Sequence, residues 1–197
     1  MTCSKSDENI GQIVKILKEG KVVIIPTDTV YGFSGIVDLK NNPAFNTDGI
    51  IRKIKGRDEK KPLIQLIAKP EDIYLYTDVK IPENIFKLWP GPLTVIVPVK
   101  EGSPLAENCA TVAFRCPGDL WLRKIIEQCG APLYSTSVNR SGSPVLETSA
   151  EIKNEFEKEV AAIIDDGDKK GSLPSTLILL EKDGFKVLRQ GAVIVEN

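Results

Sequence analysis

The sequence predicts an α/β fold, with one domain over residues 1–197 and a mixed β-sheet flanked by helices. A length of 197 residues fits one compact domain, and 42% hydrophobic with 27% charged residues is typical of a globular protein. Strand-like and helix-like segments alternate along the chain, which favours helices packed on a sheet. The last two strand-like segments are separated only by the turn Lys182-Asp183-Gly184, which indicates a hairpin and therefore a mixed sheet.

Eight apolar segments have the length and composition of strands. They lie at residues 22–25, 63–68, 93–97, 111–115, 133–137, 161–165, 176–180 and 185–189. Apolar residues at helical spacing, or capping residues, predict helices at residues 10–17, 44–55, 81–89 and 119–129, and a further helix that starts at Thr148.

The composition excludes several classes of protein. The chain has no histidine, which excludes Ser-His-Asp and Cys-His nucleophilic triads and most zinc sites. Its formal net charge of −1 does not favour nucleic acid or a membrane surface, although a local basic patch stays compatible with it. No apolar stretch could span a bilayer, and the polar N-terminus lacks the apolar segment of a signal peptide, so we expect a cytoplasmic protein without membrane contact.

The cysteines are scattered and form no Cys-x-x-Cys pair. We therefore expect reduced thiols, as is usual in a reducing compartment. Cys116 and Cys129 follow or belong to apolar segments, so we expect both in or near the core.

The most informative segment is the apolar run at residues 22–25 and the polar motif that follows it, Pro26-Thr27-Asp28-Thr29-Val30-Tyr31-Gly32. Four apolar residues in succession are typical of a strand buried on both faces. Hydroxyls, a carboxylate, a phenol and a glycine after such a strand lie where open α/β sheets bind ligands. Because the same residue types also form turns, a binding site and a simple turn are both compatible with this motif.

Polar clusters follow other predicted elements in the same way. Lys55, Arg57 and Lys61 lie near a glycine at a helix end, where they either contact solvent and the helix dipole or hold phosphate oxygens. The loop from Tyr134 to Gly142 holds four hydroxyls and an amide, and is either an anion-binding loop or a Ser-rich connection. We interpret the acidic segment at residues 165–168 mainly as a turn.

The order of these motifs resembles the Sua5/YciO/YrdC family, from about residue 10 to residue 193. Eight motifs carry the resemblance: Pro26-Thr27-Asp28-Thr29-Val30-Tyr31-Gly32, Lys55-Gly56-Arg57, Pro62-Leu63, Trp89-Pro90-Gly91-Pro92-Leu93-Thr94, Arg115-Cys116-Pro117, Ser137-Val138-Asn139-Arg140-Ser141-Gly142, Pro174-Ser175-Thr176 and Arg189-Gln190-Gly191. The resemblance implies a single YrdC-like domain with a twisted, open, mixed sheet and a concave, positively charged cavity.

The resemblance also implies the activity of a nucleotidyltransferase, threonylcarbamoyl-AMP synthase. In that reaction L-threonine, bicarbonate and ATP give L-threonylcarbamoyladenylate and pyrophosphate, and Mg²⁺ is carried with the ATP rather than by a protein metal site. The implied partners are the threonylcarbamoyl-transfer proteins that modify adenosine 37 of tRNA, with contact to tRNA itself.

Residue roles follow from the same resemblance. Lys55 and Arg57 are implied to be catalytic. The implied ATP-binding residues are Arg57, Lys61, Thr111, Ser137, Asn139 and Arg189, with Lys55 beside them. The implied threonine-binding residues are Thr29, Tyr31, Arg115 and Ser175, with Arg115 pairing the carboxylate.

Three positions depart from the family pattern. Asp28 stands where many members have glutamate, Val138 stands where alanine is usual, and Gln65 and Leu66 stand where many members have a histidine. One alternative keeps the fold without the activity: a YciO-type protein that binds RNA through basic residues near Lys55. A carbamoyl-transfer module of the hydrogenase-maturation kind is a third hypothesis, although such modules usually belong to much longer chains.

Overall fold

A computed structural model describes residues 1–40, 43–56, 62–106, 109–182 and 184–196. Within these ranges the chain forms ten strands and five α-helices. The strands are β1 (Thr2–Ser4), β2 (Val23–Ile25), β3 (Gly32–Ile36), β4 (Ile64–Leu66), β5 (Leu93–Pro98), β6 (Thr111–Arg115), β7 (Leu133–Ser137), β8 (Ala162–Asp165), β9 (Thr176–Glu181) and β10 (Gly184–Arg189). The helices are α1 (Ile10–Lys18), α2 (Thr47–Lys55), α3 (Glu83–Phe86), α4 (Leu120–Cys129) and α5 (Ser149–Phe156).

All ten strands belong to one sheet, in the order β1-β8-β2-β3-β7-β4-β6-β5-β9-β10. Strand β8 lies parallel to β1 and β2, β4 lies parallel to β6, and β5 lies parallel to β9. The remaining neighbours are antiparallel, including the terminal hairpin of β9 and β10. The predicted single α/β domain with a mixed sheet is therefore confirmed as a fold.

Each face of the sheet has its own apolar core. Helices α1 and α4 cover one face, with Leu17 and Leu122 fully buried against Val23 and Leu133. Helices α2, α3 and α5 contribute to the core of the other face, where Phe156 meets Phe33 edge-on with ring centroids 4.9 Å apart. Buried apolar area on both faces of central strands explains why their sequences read as continuous apolar runs.

The structure contains two strands that the sequence analysis does not predict. Strand β1 is a three-residue edge strand in a polar segment. Strand β3 reads Gly-Phe-Ser-Gly-Ile, and glycine disfavours strands. The glycines are required by packing, because a Cβ atom on Gly32 would lie 2.8 Å from Ser135 Oγ and one on Gly35 would lie 2.8 Å from Thr47 Cβ.

Among the residues that the structure describes, no helix is both long and apolar enough to cross a membrane. Cys116 and Cys129 are buried, as predicted, and Cys3 lies at the surface of the smaller core. Burial raises the pKa of both Cys116 and Cys129 to about 12, so these thiols stay protonated near neutral pH.

Candidate functional site

A cavity of about 480 Å³ opens on the face of the sheet that carries α1 and α4. Its volume is in the range of small-molecule sites. Five parts of the chain form its walls: the loop between β2 and β3, the entry to β4, strands β5 to β7, the segment before β9, and the end of β10. The described lining residues are Thr27, Thr29, Val30, Tyr31, Gly32, Pro62, Leu63, Ile64, Ile96, Ala113, Arg115, Ser135, Thr136, Ser137, Pro174, Ser175, Leu177 and Arg189.

Small side chains on adjacent strands leave room for this cavity. Gly32 on β3 lies beside Ser137 on β7, and Ile64 on β4 lies between Ser135 on β7 and Ala113 on β6. Residues opposite one another in a sheet point to the same face, so these positions form a common floor. The described lining residues include two arginines and no carboxylate, while the overall charge of the cavity stays a prediction.

Arg115 lies at the buried end of the cavity and is only 5% exposed. Its Nε donates to the carbonyl of Gly91 at 3.2 Å, Nη1 donates to Thr29 Oγ1 at 2.9 Å, and Nη2 donates to Asp28 Oδ1 at 2.5 Å. An arginine has five N–H donors. One donor on Nη1 and one on Nη2 therefore have no partner within the described part of the chain.

Thr29 is fixed by its own loop. Thr27 Oγ1 donates to the carbonyl of Val30 at 2.7 Å, accepts from the Thr29 amide at 3.1 Å, and lies 2.9 Å from Thr29 Oγ1. Both threonines are buried. The loop between β2 and β3 is thus a hydrogen-bonded turn that also forms a wall of the cavity, and its interpretation as a binding site stays a prediction.

Ser175 and Arg189 form the opposite wall. Ser175 Oγ lies 2.7 Å from Thr94 Oγ1, and its carbonyl accepts from Arg189 Nε at 3.2 Å and Nη2 at 2.9 Å. Partial withdrawal of the Arg189 guanidinium from water, and secondly the nearby charge of Arg115, hold the pKa of Arg189 below its ordinary value. Both predicted arginines line the same cavity, and two positive charges in one cavity favour an anionic ligand.

The chain after β10 holds this wall in place. The Ala192 amide donates to the carbonyl of Pro174 at 2.9 Å, and the Gly191 amide donates to Thr176 Oγ1 at 2.9 Å. A Cβ atom on Gly191 would lie 2.2 Å from the Pro174 carbonyl oxygen, so only glycine allows this approach.

Lys55 lies behind the cavity rather than in its lining. It is 3% exposed, and its ammonium donates to the carbonyl of Ser137, to the carbonyl of Asn139 at 3.0 Å and to Asn139 Oδ1 at 2.8 Å. Ser137 Oγ also donates to Asn139 Oδ1 at 2.9 Å. The structure thus brings Lys55, Ser137 and Asn139 together, and among these three only Ser137 lines the cavity.

Backbone contacts join the same loop to the end of α2. The Ser141 amide donates to the Lys55 carbonyl at 2.8 Å, and Arg140 Nη1 donates to the Ile54 carbonyl. Arg140 also pairs with Glu155 and Glu159 outside the cavity. Gly56 caps α2 in the left-handed conformation at φ 61°, and the helix ends there.

The structure places the remaining predicted site residues differently, because Tyr31 belongs to the cavity lining and Thr111 does not. Thr111 is exposed at the start of β6, about 13 Å along the strand from Arg115, and does not line the cavity. The Tyr31 side chain is fully buried, and its hydroxyl donates to the Gly167 carbonyl at 2.7 Å and accepts from the Asp166 amide at 2.8 Å. Arg57 and Lys61 lie outside the described residues.

The acidic segment at residues 165–168 behaves as the expected turn. Asp165 Oδ1 accepts from the Gly167 amide at 2.9 Å, and Asp166 pairs with Lys5 and Lys169. Across the ranges that the structure describes, no group of three or more Asp, Glu or Cys residues is arranged to hold a metal ion.

Sequence reasoning did not assign Thr27, Thr94 or Ser135 to the site. Thr27 belongs to the first motif, so the sequence could have indicated its place in the cavity lining. Thr94 belongs to the motif that starts at Trp89, but its contact with Ser175 spans 81 residues of sequence, which no local pattern reveals. Gln65 and Leu66, at the position of the family's histidine, are buried in the sheet and are absent from the described lining.

The fold and site define an α/β protein with a cavity lined by hydroxyl and guanidinium groups together with apolar side chains. The chain belongs to the Sua5/YciO/YrdC family, because the family model described as "Telomere recombination" matches residues 15–191.

Two curated relatives extend this similarity. The chain is 32% identical to the threonylcarbamoyl-AMP synthase of Bacillus subtilis, over 98% of this chain and 56% of that protein. It is 33% identical to the threonylcarbamoyl-AMP synthase of Photobacterium profundum, over 93% of this chain and 100% of that protein. The chain therefore spans about half the length of the first relative and the full length of the second.

Two solved structures share the fold over nearly the whole chain. Pyrococcus abyssi Sua5 complexed with L-threonine superposes with a TM-score of 0.81 at 31% identity, covering 97% of this chain and 56% of that one. Escherichia coli YciO superposes with a TM-score of 0.81 at 26% identity, covering 100% of this chain and 96% of that one.

Proposed function

We propose that this protein is a threonylcarbamoyl-AMP synthase, which forms L-threonylcarbamoyladenylate and pyrophosphate from L-threonine, bicarbonate and ATP. The observation that carries the proposal is the Arg115 guanidinium, buried at the cavity with an unpaired donor on each terminal nitrogen among the contacts of the described residues. Two such donors match a carboxylate. Thr29 and Ser175, at the same cavity, supply hydroxyls for a small polar amino acid. The names of the relatives and the threonine complex of Pyrococcus abyssi Sua5 support threonine as that amino acid.

The nucleotide would bind on the side of Arg189 and Ser137. The threonine amine and bicarbonate give a carbamate, N-carboxy-threonine, and water. Attack of a carbamate oxygen on the α-phosphate of ATP develops negative charge on phosphate oxygens and releases pyrophosphate, while the amino-acid carboxylate of threonine stays available to Arg115. Fixed cations and hydrogen-bond donors stabilise that charge and orient the two reactants, and no covalent nucleophile is required. Arg57 and Lys61 remain our predicted partners for the phosphates, and Lys55 would act by fixing the loop that carries Ser137.

Mg²⁺ would enter with the triphosphate, whose charge it neutralises. The described lining offers hydroxyls and no carboxylate, which fits an ion that takes most of its ligands from phosphate and water. Further steps belong to the same proposal: threonylcarbamoyl-transfer proteins would consume the adenylate to modify adenosine 37 of tRNA, in the cytoplasm. The free thiols of Cys3, Cys116 and Cys129 agree with a reducing compartment.

The proposal predicts that purified protein releases pyrophosphate when it is given ATP, bicarbonate, Mg²⁺ and L-threonine together. Because the attacking group is the carbamate formed from threonine and bicarbonate, omission of either should stop the release. A coupled pyrophosphate assay measures the rate, and L-serine in place of threonine is the matched control for the side-chain methyl group. Release that is indifferent to threonine would refute the substrate assignment.

The similarity to YciO over the full chain favours one second candidate, an RNA-binding protein without synthase activity. Contacts between basic side chains and RNA phosphates release counterions, so that affinity should fall steeply with added salt. Filter binding of tRNA at two salt concentrations, with and without ATP, separates the two candidates. RNA binding by a protein that releases no pyrophosphate would favour this second function.

A further inference from the structure

Asp28 is the acidic residue of the first motif, and the proposed reaction gives it no direct role. We propose that Asp28 is a positioning residue, which orients the Arg115 guanidinium for the carboxylate of the amino-acid substrate. The inference rests on the proposed function only in taking that substrate to be threonine.

The Asp28 carboxylate is held at both oxygens. Oδ1 accepts from Arg115 Nη2 at 2.5 Å, and Oδ2 accepts from the Gly118 amide at 2.9 Å. The first contact reaches the end of β6 and the second reaches the loop that follows β6. Asp28 therefore connects the loop between β2 and β3 to the strand that carries Arg115.

These contacts leave Arg115 ready for a ligand. The guanidinium is held from three directions, by the Gly91 carbonyl, by Thr29 Oγ1 and by Asp28 Oδ1. Side-chain exposure is 6% for Arg115 and 19% for Asp28, so the ion pair is largely withdrawn from water. Since a fixed fork of donors binds a carboxylate without losing rotational freedom, the orientation contributes directly to affinity.

The site also explains why an acid is needed here. Both partners of Asp28 are donors, so an amide side chain in its place would turn a donor toward one of them. Space is limited as well, because a Cβ atom on Gly118 would lie 3.0 Å from Asp28 Oδ2. The length and the charge of this side chain together fix the direction of the guanidinium.

The test measures binding of L-threonine and of a non-hydrolysable ATP analogue by calorimetry, and steady-state pyrophosphate release, in Asp28→Asn and Gly118→Ala. For Asp28→Asn we expect threonine affinity to fall about tenfold or more, because a charge-assisted hydrogen bond is lost. The KM for threonine should rise more than kcat falls, while affinity for the ATP analogue stays within about twofold of wild-type. Gly118→Ala keeps every charge and should raise the threonine KM severalfold, since it displaces the carboxylate.

Asp48→Asn is the matched control, because Asp48 forms an ion pair with Arg52 at the same 19% side-chain exposure, outside the cavity lining. Its threonine affinity should equal that of wild-type. If Asp28→Asn binds threonine as tightly as wild-type, or if Asp48→Asn loses as much threonine affinity as Asp28→Asn, the role of Asp28 is overturned. The proposed function is unaffected by either result. If Asp28→Asn does not fold, an unchanged threonine KM in Gly118→Ala overturns it instead. Absence of threonine binding by wild-type protein would overturn the proposed function and this assignment together.

Discussion

Arg115 and Lys55 are both buried cations of predicted importance, with exposures of 5% and 3%, yet the structure uses them differently. Arg115 lines the cavity and keeps donors for a ligand after three contacts with the protein. Lys55 lies behind the cavity, and its three ammonium donors are matched by three oxygens of the loop at residues 137–139. Lys55 therefore holds the loop that carries Ser137, whereas Arg115 keeps donors that face the cavity, and the catalytic role of Lys55 stays a prediction.

This difference shows that charge and burial alone do not identify a ligand-binding residue. A buried cation must be compensated, and either the protein or a ligand can do so. The two residues differ in how many of their N–H donors the described protein contacts use. Arg115 uses three of five, and the Lys55 ammonium contacts as many oxygens as it has donors.

The largest effect is expected for Arg115→Lys. Lysine keeps the positive charge but cannot reproduce the contacts with Gly91, Thr29 and Asp28 while also offering two donors to a carboxylate. Loss of two charge-assisted hydrogen bonds to the substrate corresponds to about 3 kcal/mol or more, so the threonine KM should rise about 100-fold. Steady-state kinetics measures this KM, and calorimetry measures the affinity for threonine. A change of less than about threefold in both quantities would contradict the role of Arg115.

A smaller effect on binding, with a clear effect on stability, is expected for Lys55→Met. Removal of the ammonium takes one donor from each of three oxygens, the carbonyls of Ser137 and Asn139 and Asn139 Oδ1, of which the last keeps the Ser137 hydroxyl. This loss should lower the free energy of unfolding by about 2–4 kcal/mol. Nucleotide affinity should fall because the loop loosens, while threonine affinity stays close to wild-type. Urea unfolding and the two calorimetric titrations measure these quantities. A large loss of kcat at unchanged stability would instead assign Lys55 a direct catalytic contact.

The smallest effect is expected for Tyr31→Phe. Tyr31 lines the cavity, but its hydroxyl donates to the Gly167 carbonyl and accepts from the Asp166 amide, so its loss should lower the free energy of unfolding by about 1 kcal/mol. The threonine KM should remain within about twofold of wild-type, as steady-state kinetics would show. A rise in that KM of about tenfold would mean that the prediction of Tyr31 as a threonine-binding residue is right and that the contact with Gly167 is secondary.

Sequence alone predicted much of the fold because apolar runs and helix caps are local signals. The helix over residues 119–129 has its cap at Asp119, whose side chain accepts from the Leu122 amide as the pattern indicates. Strand β3 was not predicted because its glycines are needed where Ser135 and Thr47 pack closely against the backbone, and both residues are distant in sequence. Strand propensity depends on residue type and carries no information about such long-range contacts.

Residue types near strand ends were enough to place Thr29, Arg115, Ser175 and Arg189 at one cavity, and their roles in binding stay predictions. The direction of Lys55 was not predictable, since a lysine in the last turn of a helix can face solvent, ligand or loop with the same sequence. The contact of Asp28 with Gly118 joins residues 90 positions apart, so no local pattern in the sequence reveals it.

The wall formed by Pro174 and Ser175 depends on residues 189–192, which pair with it only after the terminal hairpin has formed. During synthesis the ribosome must therefore translate past residue 191 before the cavity has all of its walls. A nascent chain whose central strands have already folded therefore still lacks one wall of the cavity. Premature termination in β10 would yield a protein that keeps most of its sheet and lacks a complete site.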